Sequence, residues 1–231
     1  MWWSVTVLPI FRSATSAREV TERIIADQRF KPGVLGEEFA RREHEPERAV
    51  EQASFRRAQA LLGLGVAEET IGKGSPEEAD RQVIEAVERL RMSLELNPGD
   101  SFLWLMFYSI EIARAGFGIE KIAYLDQSYA TGPHEGWVAL RRNRLALSIF
   151  RLLGEPQKRR TVTEFAHMVG SDFIEAAAFN LTRVGWTNRD QLLGSLAAVD
   201  IASRQSLAKQ LSNEGYKAII PGIDAEDRPW R

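Results

Sequence analysis

Residues 75–116 read SPEEADRQVIEAVERLRMSLELNPGDSFLWLMFYSIEIARAG, and this stretch decides the fold class. Ala79, Val83, Ala86, Val87, Leu90 and Leu94 return every three or four positions, with Arg81, Glu85, Glu88 and Arg89 between them. That spacing places the apolar groups on one face of an α-helix. The start is marked chemically. The Ser75 hydroxyl can accept from the free N–H groups of the first turn, Pro76 lacks a donor that would go unpaired there, and Glu77 and Glu78 meet the positive end of the helix dipole. Asn97-Pro98-Gly99-Asp100 ends it, because Pro98 disfavours helical geometry at Asn97 and Gly99 permits a reversal. The stretch 102–115 is apolar on nearly every side and predicts a helix buried on most faces.

The same grammar extends in both directions. Gly116-Phe117-Gly118 breaks the second helix, and 119–129 carries Ile122, Leu125 and Tyr129 at helical spacing before Thr131-Gly132-Pro133 closes it. Further helices are predicted over 137–153, 159–169, 172–181, 189–199 and 203–214, each bounded by Gly, Pro or a capping residue such as Ser171 or Asn188. Only 216–220 reads as extended, and 224–231 reads as a frayed tail. The expectation is an all-α protein with no sheet of three or more strands, in three parts: 1–45, an apolar segment and leading helix; 46–215, a helical domain; 216–231, an extended segment and tail. Trp104 is expected to be buried between the helix ending at Pro98 and the one beginning near Gly118.

Composition narrows the chemistry. With 231 residues, 44% of them hydrophobic, the chain can bury a core without a disulfide or a structural metal. It contains no cysteine, which removes thiolate nucleophiles, Cys-ligated zinc and iron–sulfur clusters. Thirty basic against 32 acidic residues give a net charge of −2, so no global field attracts nucleic acid. The apolar run MWWSVTVLPIF at 1–11 stops at Arg12, well short of the ~20 residues that span a bilayer. No basic residue precedes it and no Ala-x-Ala-like site follows, so it does not read as a secretory signal. Trp2 and Trp3 suit peripheral contact with a membrane interface, which favours a membrane-proximal location; packing on the body of the protein and the remnant of a longer anchor are the other readings.

Local catalytic signatures are missing. His44, His134 and His167 are scattered, and a Glu-x-x-His pair occurs once, as Glu164 and His167, where di-iron carboxylate bundles need it twice. Gly63-Leu64-Gly65 has Glu68 where a dinucleotide fingerprint needs its third Gly. There is no P-loop and no Gly-x-Ser-x-Gly elbow. No cofactor and no metal-ligand set is expected.

One charge imbalance stands out. Between Trp137 and Arg160, seven basic residues (Arg141, Arg142, Arg144, Arg151, Lys158, Arg159, Arg160) oppose only Glu155, a local net charge of 7 − 1, or +6. At about 100° per residue, Trp137, Arg141, Arg144, Ser148 and Arg151 form one narrow stripe, with the indole one turn from the first guanidinium. Arg142 and Asn143 instead project toward Val138, Ala139, Ala146 and Ile149. A charge among apolar neighbours must be paired or must line a cleft. An internal salt bridge from Arg142 to Asp126 or Glu135 is one reading, and a solvated face is another.

Pro98 and Pro133, each closing a helix, are 35 residues apart, and Trp104 and Trp137 are 33 apart. With Ala86-x3-Leu90-x2-Ser93-Leu94-x3-Pro98 resembling the second helix of a unit, the pattern is similar to the tetratricopeptide-repeat superfamily over 46–181. It holds one well-formed unit and two degenerate neighbours, with Tyr108 where the family has a small residue. The resemblance implies antiparallel helical hairpins stacked as a short solenoid, with Arg142 facing a peptide-binding groove. The turns at Phe30-Lys31-Pro32-Gly33 and Gly132-Pro133-His134-Glu135-Gly136-Trp137 also resemble those of bacterial repeat proteins linked to envelope-polysaccharide systems, which implies a partner in an assembly rather than an activity.

Two functional classes follow. The favoured one is a non-enzymatic scaffold or adaptor that binds a protein or peptide partner, and not nucleic acid, through Trp137, Arg141, Arg142, Asn143 and Arg144. The alternative is a helical-bundle enzyme or small-molecule carrier with a site near Glu164, His167 or Arg142.

Overall fold

The computed structural model describes residues 33–43, 53–71 and 75–223. The N-terminal segment with Trp2 and Trp3, His44, most of the 30–33 turn and the 224–231 tail lie outside the described residues. Among those described the protein is all-helical, without strands. The contacts cluster into two compact units that divide after Tyr124, inside the expected 46–215 region.

The N-terminal unit contains α1 (Val34–Glu43), α2 (Ala53–Ile71), α3 (Pro76–Leu96) and α4 (Ser101–Ala115), followed by a 3-10 turn, Ile119–Lys121. Each of these α-helices packs on its neighbour in sequence, around Leu61, Leu62, Leu90, Phe102, Leu103 and Leu105. Ser75 caps α3 by accepting from the Glu78 N–H, with Pro76 in the first turn, as its sequence requires. Helix α4 ends at Gly116, whose φ of +71° would strain any residue with a Cβ. Lys121 returns to that end: its buried ammonium donates to the Glu111 and Gly116 carbonyls at 3.0 and 2.7 Å, meeting the negative pole of the helix.

Trp104 departs from expectation. It does lie against the Pro98 turn, donating from Nε1 to the Pro98 carbonyl at 2.8 Å, and it stacks on Tyr124 with centroids 6.2 Å apart. The ring is nevertheless only half-buried. Its polar edge has to reach a carbonyl in an exposed turn, which holds the indole at the boundary of the core.

Helix α5 (Ile122–Thr131) carries the division between the units. The C-terminal unit continues with α6 (Gly136–Ser148), a 3-10 turn (Phe150–Leu152), α7 (Glu155–Gly170), α8 (Ile174–Asn180), a π-helical turn (Leu181–Gly185), a 3-10 turn (Trp186–Asn188), α9 (Arg189–Gly194), a 3-10 turn (Ser195–Ala198) and α10 (Ile201–Asn213). Val138, Leu147, Phe165, Val169, Leu181, Leu192 and Leu207 fill its core. The helix expected over 137–153 stops at Ser148, so that Phe150 and Leu153 can both turn inward. Ser171 caps the end of α7, its backbone N–H donating to the His167 carbonyl at 2.9 Å, and Asp172, at φ +65°, makes the reversal before α8. Residues 216–220 pair with no strand, but burial alternates along them: the Tyr216 ring lies 4.9 Å from Trp186, Ile219 is 90% exposed and Ile220 is buried. No helix among the described residues is long and apolar enough to cross a membrane.

Asp100 joins two elements of the N-terminal unit. Its Oδ1 caps α4 by accepting from the Phe102 and Leu103 N–H groups, at 3.1 and 3.0 Å, while Oδ2 accepts from Arg57 Nε of α2 at 2.5 Å. Asp100→Ala is expected to cost about 2 kcal/mol, the sum of a lost cap and a charge-assisted hydrogen bond. Asp100→Asn keeps a capping oxygen and should lose about half of that; urea denaturation of the two variants checks the ordering.

Candidate functional site

The local features of the C-terminal unit begin with the fate of Arg142. Its neighbours Val138, Ala139 and Ala146 are buried, and the same helical face carries Arg142 into the interior, where it is wholly inaccessible. A guanidinium has five N–H donors and no acceptor. Nε and one Nη2 hydrogen donate to Glu164 Oε1 at 2.8 and 2.6 Å; the other Nη2 hydrogen meets the Gly132 carbonyl at 3.0 Å. Nη1 donates to the Ser128 carbonyl at 2.6 Å and to the Ser128 hydroxyl at 3.2 Å. All five donors are used, and the Tyr129 ring covers the guanidinium at 4.2 Å.

The remaining oxygen of Glu164 accepts from the Tyr129 hydroxyl at 2.9 Å. Burial pushes the Glu164 carboxyl above its ordinary value, an effect that the Arg142 charge opposes without cancelling. Burial, reinforced by the Glu164 charge, raises the Tyr129 phenol well above its ordinary value. Asn143 extends the network, donating to the Thr161 carbonyl at 2.9 Å, and Asn180 donates to the Leu140 carbonyl at 3.1 Å and toward Asn143 Oδ1 at 3.4 Å.

Arg142, which the resemblance places in a groove, and Asn143, expected among the partner-binding residues, are both 0% exposed and contribute to the interior rather than to a surface. The salt-bridge reading has the right kind of interaction with a different partner. Glu164 takes the arginine, whereas Asp126 accepts from Arg160 at 2.9 Å and from Gln157 at 2.8 Å. Trp137 is 36% exposed, Arg141 and Arg144 are half-buried at the surface, and Ser148 and Arg151 are exposed, so the stripe read from the sequence faces outward.

Arg144 meets a residue that sequence periodicity did not single out. Its guanidinium lies 5.9 Å from the centre of the Phe179 ring, and Arg183 of the π-helical turn lies 5.7 Å from the same ring. Phe179 is 44% exposed. A cluster of large apolar and cationic side chains joined only by tertiary packing leaves no local signature; the exposed Phe within an Ala-rich helix is the one cue. His134 and His167 have ring centroids 6.2 Å apart, and no group of three or more His, Asp or Glu side chains suited to a metal occurs among the described residues. A cleft of about 580 Å³ lies along α8 and α10, with Asp172, Phe173, Glu175, Lys209 and Gln210 in its walls.

Comparison of the chain with family models, with curated proteins and with solved structures yields no match.

Removing one end of a buried ion pair leaves the other charge uncompensated. Arg142→Met is expected to destabilise the protein by about 3–5 kcal/mol. Adding Glu164→Met should recover part of the loss, because an apolar pair of similar volume has no charge to desolvate. Denaturation midpoints of both single variants and the double variant measure this coupling; strictly additive losses would contradict it.

Proposed function

We propose that the protein is a non-enzymatic scaffold or adaptor built from stacked helical hairpins similar to tetratricopeptide repeats, and that it binds a peptide segment or partner protein. The helices support the hairpin reading: α4 and α6 begin at 101 and 136, 35 residues apart, and each is followed by a further helix, α5 or α7. The sequence resemblance alone supports a place in a bacterial envelope-polysaccharide assembly.

The observation that carries the reading is the division of polar chemistry across α6. Inside, Arg142 and Asn143 are hydrogen-bonded to the protein and covered. Outside, Trp137 and Arg144 present aromatic and cationic surface to solvent, beside Phe179 and Arg183. The alternative, an enzyme or carrier site at Arg142, Glu164 or His167, draws on the contact between Arg142 and Glu164. It would require donors that Arg142 has already committed, and His167 lies exposed at the far end of α7.

Reversal of Arg141 and Arg144 to Glu tests the adaptor reading. Thermal stability should change little, since the substitutions fall on the outer face. Capture of partner proteins from extracts of the source cells should fall and lose part of its salt sensitivity, because steering charge has been removed. Undiminished capture by a folded double variant would take the outer face of α6 out of the interaction.

A further inference from the structure

We propose that Arg144, Phe179 and Arg183 form a docking site for an acidic peptide segment, one carrying two carboxylates on either side of an apolar residue. The proposal rests on the adaptor reading and names the chemistry of its partner.

Phe179 is exposed although the next residue, Asn180, is buried and tied to Leu140 and Asn143 of α6. That tether fixes the phenyl ring beside Arg144. The π-helical turn from Leu181 then carries Arg183 to the same ring, and it is clamped by Gly185, where a Cβ would come within 3.0 Å of Leu192 and 3.3 Å of both Leu147 and the Asn180 carbonyl. The three side chains thus stand on packed elements, which favours a preorganised surface. π-Helical turns inside α-helices are frequent at functional sites.

Charge decides what such a surface accepts. Elsewhere in this unit Arg160 has Asp126 and Lys158 has Glu155. Among the described residues Arg144 and Arg183 have no carboxylate partner; each has the Phe179 ring instead. A guanidinium set against a ring keeps its N–H edge for a carboxylate, which it can hold through two parallel hydrogen bonds. Both guanidinium carbons lie within 6 Å of one ring centre, so they are no more than about 12 Å apart. In an extended chain, which rises about 3.3 Å per residue and alternates its side chains between two faces, carboxylates about four residues apart share one face and bridge that span, with the apolar side chain midway between them over the ring. Trp137, about two turns before Arg144 on α6, lengthens the face.

The occupant is a peptide rather than a nucleic acid or a membrane. The two arginines of this site, on a chain of net charge −2, are too few to track a phosphate backbone. Glu175, exposed one turn before Phe179 on α8, would repel an extended anionic surface while leaving room for a short segment.

A phage-displayed dodecapeptide library panned against the full chain tests the proposal, with affinities of the selected peptides measured by fluorescence polarisation. Expected are sequences with two Asp or Glu flanking an apolar residue. Their affinity should weaken about tenfold or more for Phe179→Ala and for Arg144→Ala with Arg183→Ala, as hot-spot aromatic and arginine residues behave, at unchanged melting temperature. Should the double variant fold poorly, Arg183→Glu alone, at an exposed position, gives the same readout. Selected peptides that bind all variants equally would overturn this site and leave the adaptor reading standing. A library that yields no binder would overturn both. Tighter binding of a single-stranded RNA oligomer or of phosphatidylserine vesicles, lost in the same variants, would reassign the site to that ligand.

Discussion

An arginine enclosed in a protein interior keeps its charge, and so every one of its N–H groups must find an acceptor there. Arg142 meets this condition with acceptors from two other helices: the Ser128 and Gly132 carbonyls at the end of α5, and the Glu164 carboxylate of α7. The carbonyls are among those that a helix terminus leaves without an intrahelical partner, and they carry its negative pole. One side chain therefore pairs a buried acid, caps a helix and fixes the register of α6 against its neighbours. Sliding α6 by a single residue would break every one of these bonds and bury Arg141 or Asn143 in place of the arginine. Hydrophobic contacts alone tolerate such slips far better.

The rest of the unit follows from that register. With Arg142 inward, Asn143 reaches the Thr161 carbonyl and Asn180 reaches the Leu140 carbonyl, so α6, α7 and α8 are joined by polar contacts as well as by packing. Asn180 is the last residue of α8, and the π-helical turn begins immediately after it. The wider turn lets Leu181 and Gly185 pack inward while Arg183 stays in solvent. The exposed pairing of Phe179 with two arginines is thus an outward consequence of how the interior asparagines are satisfied.

What the sequence made legible was local. The start of α3 depends on Ser75, Pro76 and two acids within four positions, and its end on Asn97-Pro98-Gly99; both were readable because caps and breakers act on adjacent backbone. The buried face of α6 was also readable, including that Arg142 and Asn143 project toward it. Their partners were not. Glu164 is 22 residues from Arg142 and Asn180 is 37 from Asn143, on helices whose rotation about their own axes only packing decides. Asp126 and Glu135 looked suitable because they are near in sequence, but Asp126 accepts from Arg160 and Gln157 of α7 instead. The helix expected to reach Leu153 likewise ends where Phe150 and Leu153 must both be buried, a tertiary requirement with no local signal.

The contrast between Arg142 and Arg144 shows how little of an arginine's role lies in its chemistry. Two positions along one helix rotate the side chain by roughly 200°, from an interior that consumes all five donors to a surface that supplies a ring and no carboxylate. The first residue is wholly enclosed, while the second stays half-exposed beside the Phe179 ring. The two are nevertheless coupled, since the outer face keeps its shape only while the inner network holds α8 against α6. A lesion at Arg142 would therefore disturb the outer face from within, although the residue itself is 0% exposed. Phe179 and Arg183 stand outside that network, since both are exposed and they meet each other through the ring rather than through the buried amides.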